Sequence, residues 1–193
     1  MARQNSSHIA FVAFGSNLGR RRSTVERALR ALAKEPGVTL RRVSRLYETE
    51  PVGGPAGQNA FLNGVVELGV TLAPRALLSR LQRIETRFGR RRRSEPLWGP
   101  RTLDLDLLAF DARRERFRDL VLPHPRYHER RFVLRPFCDL APRFRHPGLK
   151  TENRLLMRRL PRSGQRVTMV GTWKDTRFSP SRKRKPTARP SSS

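Results

Sequence analysis

Residues 101–110 have the sequence RTLDLDLLAF, in which leucine alternates with aspartate between Leu103 and Leu107. Because successive side chains of a β-strand point to opposite faces of a sheet, this alternation predicts a strand with one buried, leucine-lined face. Asp104 and Asp106 then share the other face, with Cα atoms about 7 Å apart, as the rise per strand residue requires. The stretch therefore predicts a core strand that displays two neighbouring carboxylates.

Five further elements precede this strand. They are a strand over residues 8–14, a helix through Val25, Leu29 and Leu32 that stops at Pro36–Gly37, strands over 38–48 and 61–70, and a helix that Pro74 opens and Gly89 ends. Ser23 stands three residues before Glu26, a capping-box pattern that predicts the start of the first helix. The order strand–helix–strand–strand–helix–strand is the split βαβ pattern of a ferredoxin-like α+β sandwich with an antiparallel sheet.

The C-terminal part adds elements to this sandwich and then changes in composition. We expect a short extended piece over 120–122, a helix over 129–139 that Pro136 interrupts, a helix over 153–160 and a last strand over 166–170. The final stretch, SPSRKRKPTARPSSS, is rich in proline, serine and basic residues, so it lacks the side chains for a core. We therefore predict one domain over residues 1–172 and a basic, disordered tail over 173–193.

The chain is strongly basic. Lys and Arg total 42 against 16 Asp and Glu, which gives a formal net charge of +26. Such a charge is typical of proteins that bind nucleic acid, and a basic ferredoxin-like RNA-binding module is the alternative interpretation of this chain. Its strands, however, carry no RNP-like run, and the aspartate pair would repel phosphates without a metal. We therefore expect nucleic-acid binding only through the basic tail.

Several classes of protein are disfavoured by what the sequence lacks. The one cysteine, Cys138, excludes an intramolecular disulfide framework and suits a reducing compartment. The four histidines are scattered, which disfavours a zinc site, and no apolar run approaches the roughly 20 residues of a membrane helix. We therefore expect a cytoplasmic monomer that does not bind membranes.

The aspartate pair is the candidate centre for chemistry. Carboxylates are ligands that Mg²⁺ prefers, and Mg²⁺ often shares them with substrate phosphates. Basic and aromatic side chains flank the pair at Arg90–Arg93, Trp98 and Arg101, so metal and arginines can together bind a polyanion. The Gly15–Gly19 turn lacks the spacing and the Lys-Ser/Thr of a P-loop. The alternative interpretation is an amphipathic strand whose solvent face is acidic.

Several motifs occur in the order typical of one enzyme family. They are Gly15-Ser16-Asn17-Leu18-Gly19, YETEPVG at 47–53, FLN at 61–63, QRIE at 82–85, Gly89-Arg90, WGPRTLDLD at 98–106, and Pro123-His124-Pro125 with HERRF at 128–132. WGPRTLDLD is the most specific of them, whereas the glycine turn alone is a weak signal. By these segments the chain resembles the 6-hydroxymethyl-7,8-dihydropterin pyrophosphokinase family of folate biosynthesis over most of residues 8–170.

This resemblance implies transfer of a pyrophosphoryl group from MgATP to the hydroxymethyl oxygen of the pterin, with release of AMP. It implies that Asp104 and Asp106 bind two Mg²⁺ ions and that Arg90, Arg92 and Arg101 are catalytic with them. The implied ATP-binding residues are Leu78, Gln82, Arg92, Arg101, Leu107, His124 and Arg130. The implied pterin-binding residues are Thr49, Pro51, Val52, Phe61, Asn63, Trp98 and Phe132.

The chemistry of these side chains agrees with the implied roles. The faces of Phe61 and Phe132 can sandwich a flat pterin, and Asn63 can pair with its amide-like edge. Ordinary core packing is the alternative for each aromatic residue. The arginine loop departs from the family, which usually spaces two arginines where this chain has four in succession. The catalytic assignment can therefore shift by one position within Arg90–Arg93.

Overall fold

The fold is an antiparallel sheet with helices on both faces. In the computed structural model, which describes residues 7–91, 98–161 and 166–173, six strands form this sheet. They are β1 (His8–Ser16), β2 (Val38–Val43), β3 (Leu46–Thr49), β4 (Phe61–Val70), β5 (Asp104–Phe110) and β8 (Val167–Gly171), while β6 (Glu115–Arg116) and β7 (Val121–Leu122) form a separate hairpin. The helices are α1 (Arg21–Ala33), α2 (Pro74–Arg87), α3 (Arg131–Leu140) and α4 (Asn153–Arg159), with a 3₁₀ turn at Tyr127–Glu129.

The strand order follows the pattern expected from the sequence. β5, β1, β4 and β2 are neighbours in that order, which is the split βαβ arrangement. β3 lies beside the other half of β4, and β8 pairs with β3 at the edge of the sheet. All of these pairs are antiparallel. The ferredoxin-like α+β prediction is therefore confirmed, with β3 and β8 as additions. None of the helices in the described ranges is both long and apolar enough to span a bilayer.

The register of the sheet determines which residues surround the aspartates. Asp104 is opposite Gly15 on β1, and Gly15 is in turn opposite Asn63 on β4. Asp106 is opposite Ala13. Because directly opposed residues of a sheet project from the same face, both carboxylates share a face with the Asn63 amide. Gly15 and Ala13, the β1 residues opposite the two aspartates, are small, so this part of the face has room for a ligand.

Each face of the sheet packs against its own pair of helices. Leu103, Leu105 and Leu107 are buried with residues of α1 and α2 in one core cluster. On the opposite face, Phe11 packs against Phe137 of α3, with ring centroids 4.6 Å apart. The leucine face predicted for β5 is therefore confirmed, and the aspartates lie on the α3 side.

The single strand predicted over residues 38–48 is wrong, because Ser44 divides it into β2 and β3. The Oγ of Ser44 accepts a hydrogen bond from Val65 N at 2.9 Å in place of a backbone carbonyl, while Ser44 N still donates to the Val65 carbonyl at 2.9 Å. The Ser44 carbonyl accepts a second bond from Trp173 Nε1 at 2.8 Å. Trp173 is thus buried in the core, one residue beyond the expected domain boundary. Residues 174–193 lie outside the described residues, so the disordered tail stays a prediction.

Two predictions about the helices are also wrong. The capping box at Ser23 does not form, because the chain turns at Gly19, with a φ of +60°, and α1 begins before Ser23. Its N-cap residue, Arg20, makes no side-chain capping bond. Pro136 does not interrupt α3, which continues through the buried proline to Leu140. Tertiary packing of α3 therefore outweighs the local cost of a proline in a helix.

The contact between Gly64 and Phe14 gives a stability prediction. A Cβ at position 64 would overlap the buried Phe14 ring, so Gly64→Ala is expected to lower the free energy of unfolding by roughly 1–3 kcal/mol through overpacking. Gly69→Ala on the same strand is the matched control, since the atoms nearest to its Cβ would be Ser7 Oγ at 3.2 Å and Arg41 Cδ at 3.5 Å, both on exposed residues. Urea denaturation of both variants checks this. Equal stability of the two would contradict it.

Candidate active site

A cavity of about 220 Å³ lies on the α3 side of the sheet, around Asp104 and Asp106. It is formed by β1, β3 and the loop after it, β4, β5 and the segment that leads into it, and the first turn of α3 with the residues just before it. Predicted site residues that line it are Thr49, Val52, Phe61, Asn63, Trp98, Arg101, Asp104, Asp106, Arg130 and Phe132. The fold therefore brings together residues that are up to 83 positions apart in the sequence (Thr49 to Phe132).

The Asn63 amide is fixed in the floor of this cavity. Asn63 is 8% exposed, and its Nδ2 donates a hydrogen bond to Thr49 Oγ1 at 2.7 Å. A Cβ on residue 15 would lie 2.6 Å from Asn63 Oδ1, so the glycine at that position leaves the space that the amide occupies. An amide has two N–H donors and one carbonyl acceptor, which leaves a donor and an acceptor for the edge of a planar ligand.

Asp104 is held by two arginines. Arg90 Nη1 donates to Asp104 Oδ1 at 2.6 Å, and Arg101 Nη1 donates to Asp104 Oδ2 at 2.9 Å. Burial alone would raise the pKa of the Asp104 carboxyl, but the two guanidinium groups outweigh burial and hold this pKa below its ordinary value. The group is therefore an ionised carboxylate whose charge the two arginines compensate.

Arg90, the first of the four successive arginines, is largely buried. Its side chain is only 9% exposed, donates to the Leu103 carbonyl at 3.0 Å and lies 3.6 Å from a carboxylate oxygen of Glu85. Glu85 is fully buried and accepts a hydrogen bond from Leu105 N at 2.8 Å. These contacts connect the end of α2 to the start of β5 and draw Arg90 inward beside Asp104.

An arginine lies over each of the two phenylalanine rings predicted to sandwich the pterin. The Cζ atom of Arg101 is 5.9 Å from the centroid of the Phe61 ring, and that of Arg130 is 5.8 Å from the centroid of the Phe132 ring. Both distances are within the range of cation–π attraction. Since Arg101 also binds Asp104, it links the aromatic wall of the cavity to the carboxylates.

A second cavity, of about 290 Å³, lies between α2, β5 and the β6–β7 hairpin. Four residues predicted to bind ATP line it, namely Leu78, Gln82, Leu107 and His124. The hairpin supplies Arg118 and Asp119 to the same cavity. Asp106 borders both this cavity and the first one. The two cavities therefore share Asp106 as a lining residue, while Asp104 lines the first cavity alone.

His124 is a neutral hydrogen-bonding group in this site. Burial, reinforced by the neighbouring Arg130, lowers the pKa of His124 to about 4. Its Nδ1 accepts a hydrogen bond from Arg126 N at 3.2 Å, so the ring carries its proton on Nε2. At neutral pH, His124 can therefore donate one hydrogen bond to a ligand and carries no positive charge.

Some predicted residues are placed differently. Pro51 is not part of the lining of either cavity, and Arg130 lines the first cavity rather than the second. Arg92 lies outside the described residues, so its catalytic role stays a prediction. Sequence reasoning missed Arg126 and Glu129, which form an ion pair of 3.2 Å and line the first cavity. In a chain with 42 basic residues, a single arginine gives no signal of its own.

Asp104 and Asp106 are the candidate metal ligands of this site, whose lining also includes the carboxylates of Glu50 and Glu129. Among residues 7–91, 98–161 and 166–173, no three His, Cys, Asp or Glu side chains are grouped so that they could hold a metal ion. A cation between Asp104 and Asp106 would therefore take its remaining ligands from substrate phosphates and water, which is the usual coordination of Mg²⁺ by nucleotide-binding proteins.

Comparison with known families identifies the chain. A family model described as 7,8-dihydro-6-hydroxymethylpterin-pyrophosphokinase (HPPK) matches residues 11–142. The chain belongs to the HPPK family. Among its HPPK relatives, the 2-amino-4-hydroxy-6-hydroxymethyldihydropteridine pyrophosphokinase of Bacillus subtilis is 43% identical over 135 residues, which are 70% of this chain and 79% of that protein. The protein of the same name from Pseudomonas aeruginosa is 46% identical over 137 residues, or 71% and 83% of the two chains.

Solved HPPK structures share the fold. A Plasmodium falciparum HPPK-DHPS chain crystallised with pteroate superposes with a TM-score of 0.62 at 15% identity, covering 81% of this chain and 44% of that one. Another HPPK-DHPS structure, in complex with substrates, gives a TM-score of 0.60, also at 15% identity, and covers 79% and 43%. The present chain thus spans less than half of these longer chains. The resemblance seen in the motifs is confirmed, and no finding supports the RNA-binding interpretation.

Proposed function

We propose that the two cavities hold the two substrates of the HPPK reaction, with the aspartates between them. As a member of this family, the chain is an ATP-dependent pyrophosphokinase of folate synthesis, and ATP and a pterin are its substrates. The observation that carries the assignment of the cavities is that Asp106 borders both of them. A group bound in the second cavity can therefore be transferred to a molecule bound in the first.

The first cavity is the pterin site in this proposal. Asn63 meets the amide-like edge of the pterin with its second N–H and its oxygen, because Thr49 fixes the amide in place. Phe61 and Phe132 provide apolar walls for a flat ring. Val52 and Trp98, which are 51% and 48% exposed, lie at the open side of the cavity. This arrangement directs the hydroxymethyl group toward the aspartates.

The second cavity is the nucleotide site. Leu78 and Leu107 supply apolar surface for the adenine, while Gln82 and the Nε2–H of His124 supply hydrogen bonds. Because this cavity borders the first one at Asp106, the phosphate chain of the bound nucleotide extends toward Arg101 and Arg130, which line the first cavity. These two arginines can compensate the charge of the phosphates there.

Asp104 and Asp106 are the proposed ligands of two Mg²⁺ ions that bind with ATP. Their carboxylates lie on the same face of β5 and border the space where phosphates would be. Mg²⁺ accepts a few protein carboxylates and completes its octahedron with phosphate oxygens and water, so the donor set fits this ion. When bound there, Mg²⁺ would supply electrostatic stabilisation of the phosphate oxygens during transfer.

The transfer step requires positioning more than a strong base. The hydroxymethyl oxygen attacks the β-phosphorus, the bond from this phosphorus to the α–β bridging oxygen breaks, and AMP leaves with that oxygen while the hydroxyl proton passes to water. Phosphoryl transfer depends mainly on alignment and charge stabilisation. Arg101 and Arg130 stabilise the charge on the phosphates, and the neutral His124 holds the nucleotide rather than accepting the proton.

The test is an assay of AMP formation with purified protein. We expect AMP to appear only when ATP, Mg²⁺ and 6-hydroxymethyl-7,8-dihydropterin are all present, and chelation of Mg²⁺ by EDTA should stop it. ATP with no pterin, and pterin with no hydroxymethyl group, are the controls for simple hydrolysis. Formation of ADP instead of AMP, or AMP formation at the same rate without pterin, would overturn the proposed reaction.

The cytoplasmic location and the monomeric state stay predictions from the sequence. A single cysteine, Cys138, suits a reducing compartment, and burial raises the pKa of its thiol to about 11, so it is a weakly reactive thiol. Cell fractionation tests the location, and light scattering of the purified protein tests the oligomeric state. A dimer in solution would contradict the second prediction.

A further inference from the structure

Asn17 joins two segments of the site that are far apart in the sequence. It is 1% exposed and exchanges two hydrogen bonds with Arg101: Asn17 N donates to the Arg101 carbonyl at 3.1 Å, and Arg101 N donates to Asn17 Oδ1 at 2.7 Å. On its other side, Asn17 Nδ2 donates to Gln58 Oε1 and to the Asn59 carbonyl, both at 3.3 Å. One buried amide therefore connects the segment before β5 to the loop before β4.

Gln58 continues this connection to Trp98. Its Nε2 is within hydrogen-bond distance of the Trp98 carbonyl at 3.1 Å, the Pro55 carbonyl at 3.2 Å and the Gly53 carbonyl at 3.3 Å. The side chain thus binds its own loop and the neighbouring segment at once. Its Oε1 accepts the bond from Asn17, so both ends of the Gln58 amide are used.

The loop and the segment are also in close backbone contact. Gly54 has a φ of +84°, and a Cβ there would overlap the Trp98 carbonyl. At Gly53, with a φ of +77°, a Cβ would lie 3.0 Å from the Trp98 indole. Two glycines therefore allow the loop to lie directly against Trp98, where Gln58 fixes it.

We propose that Asn17 and Gln58 are positioning residues that make the placement of Arg101 depend on the occupancy of the pterin cavity. The loop presents Val52 and Gly53 to the first cavity, and the segment presents Trp98 and Arg101. A ligand that orders the loop therefore orders Arg101 through this clamp of two amides. The inference rests on the proposed function and adds that the clamp couples binding of the pterin to binding of the nucleotide.

Two single-atom changes test the clamp from either side. Asn17→Asp keeps the Oδ1 acceptor for Arg101 N but removes the donor to Gln58 and Asn59. Gln58→Glu keeps an acceptor for Asn17 but removes the donor to the Trp98 carbonyl. Both place a carboxylate beside carbonyl oxygens, which opens the contact between loop and segment.

The measurement is the dissociation constant of the pterin, by calorimetry, with and without a nonhydrolysable ATP analogue and Mg²⁺. In the wild type the analogue should lower the dissociation constant of the pterin. Each variant should reduce the ratio of the dissociation constants without and with the analogue by at least about fivefold, the lower end of typical coupling between sites. A merely structural role would lower the unfolding temperature and leave the ratio unchanged. In each variant the turnover number should fall by a larger factor than the affinity for the ATP analogue measured without pterin.

Asn59→Ala is the matched control, because it removes an exposed side chain of the same loop and keeps the carbonyl that Asn17 uses. Its ratio should equal that of the wild type. If Asn17→Asp fails to fold, the test of the clamp rests on Gln58→Glu. This variant is expected to fold, since Gln58 lies in a surface loop. An unchanged ratio in a folded Gln58→Glu would overturn the clamp. A wild type that binds neither ligand would instead overturn the proposed function.

Discussion

Asp106→Ala is expected to lower the turnover number for AMP formation by at least about a thousandfold, because metal-assisted charge stabilisation contributes several kcal/mol and each 1.4 kcal/mol is a factor of ten. Asp106 borders both cavities. Its neighbours Leu105 and Leu107 point to the opposite face and stay buried, so the strand keeps its core contacts. Steady-state AMP formation at saturating substrates and increasing Mg²⁺ measures the loss, and thermal unfolding checks the fold.

Asp104→Asn in the same experiment separates catalysis from stability. From the strand pattern alone the two aspartates look equivalent, but Asp104 accepts hydrogen bonds from Arg90 and Arg101. Removing its charge takes from the nearly buried Arg90 the ion pair of 2.6 Å with Asp104, while the contact of 3.6 Å with Glu85 remains. We therefore expect Asp104→Asn to lower stability as well as turnover, and Asp106→Ala to lower turnover alone. Near-normal turnover in Asp106→Ala would contradict the metal assignment.

Arg101→Ala is expected to lower the turnover number by about 10²- to 10³-fold, the loss typical of removing one donor that stabilises charge in a transition state. Arg101 binds Asp104, lies over Phe61 and donates from Nε to the Gly99 carbonyl at 3.2 Å. Arg101→Lys should recover little, because an ammonium group cannot make these contacts in one plane. Separate measurement of kcat and of KM for each substrate checks this.

Arg126→Ala is the control for Arg101, since it removes an arginine from the same cavity. The Arg126 side chain is 55% exposed and paired with Glu129 at the rim, so we expect a much smaller loss of turnover. If the two variants lost activity equally, the general positive charge of the cavity would explain the effect of Arg101, and its specific contacts would not be needed.

The sequence predicted those features that depend on local periodicity. Alternation in LDLDL placed Asp104 and Asp106 on one face of β5, and the strand predicted over residues 61–70 has the bounds of β4. Features that depend on contacts between distant residues could not be predicted from periodicity. Arg90 turns inward because Glu85 and Asp104 are beside it, and four successive arginines give no sign of which one does so.

The clamp of Asn17 and Gln58 shows that contacts between distant polar residues also cannot be predicted from periodicity. Asn17 and Gln58 are 41 positions apart, and each makes its contacts through one amide group. Such contacts have no period, so the sequence indicated only a glycine turn and an irregular loop at these positions. In the same way, the hydroxyl of Ser44 ended a strand at a point where the apolar pattern continued.

The pair of guanidinium groups on Asp104 has a consequence for the order of events on the enzyme. A divalent ion bound between Asp104 and Asp106 would meet two positive charges, held 2.6 Å and 2.9 Å from the carboxylate oxygens of Asp104. In the proposed function, the triphosphate offsets this repulsion, because its oxygens attract both the arginines and the ion. We therefore expect the ion to bind together with the nucleotide and not before it.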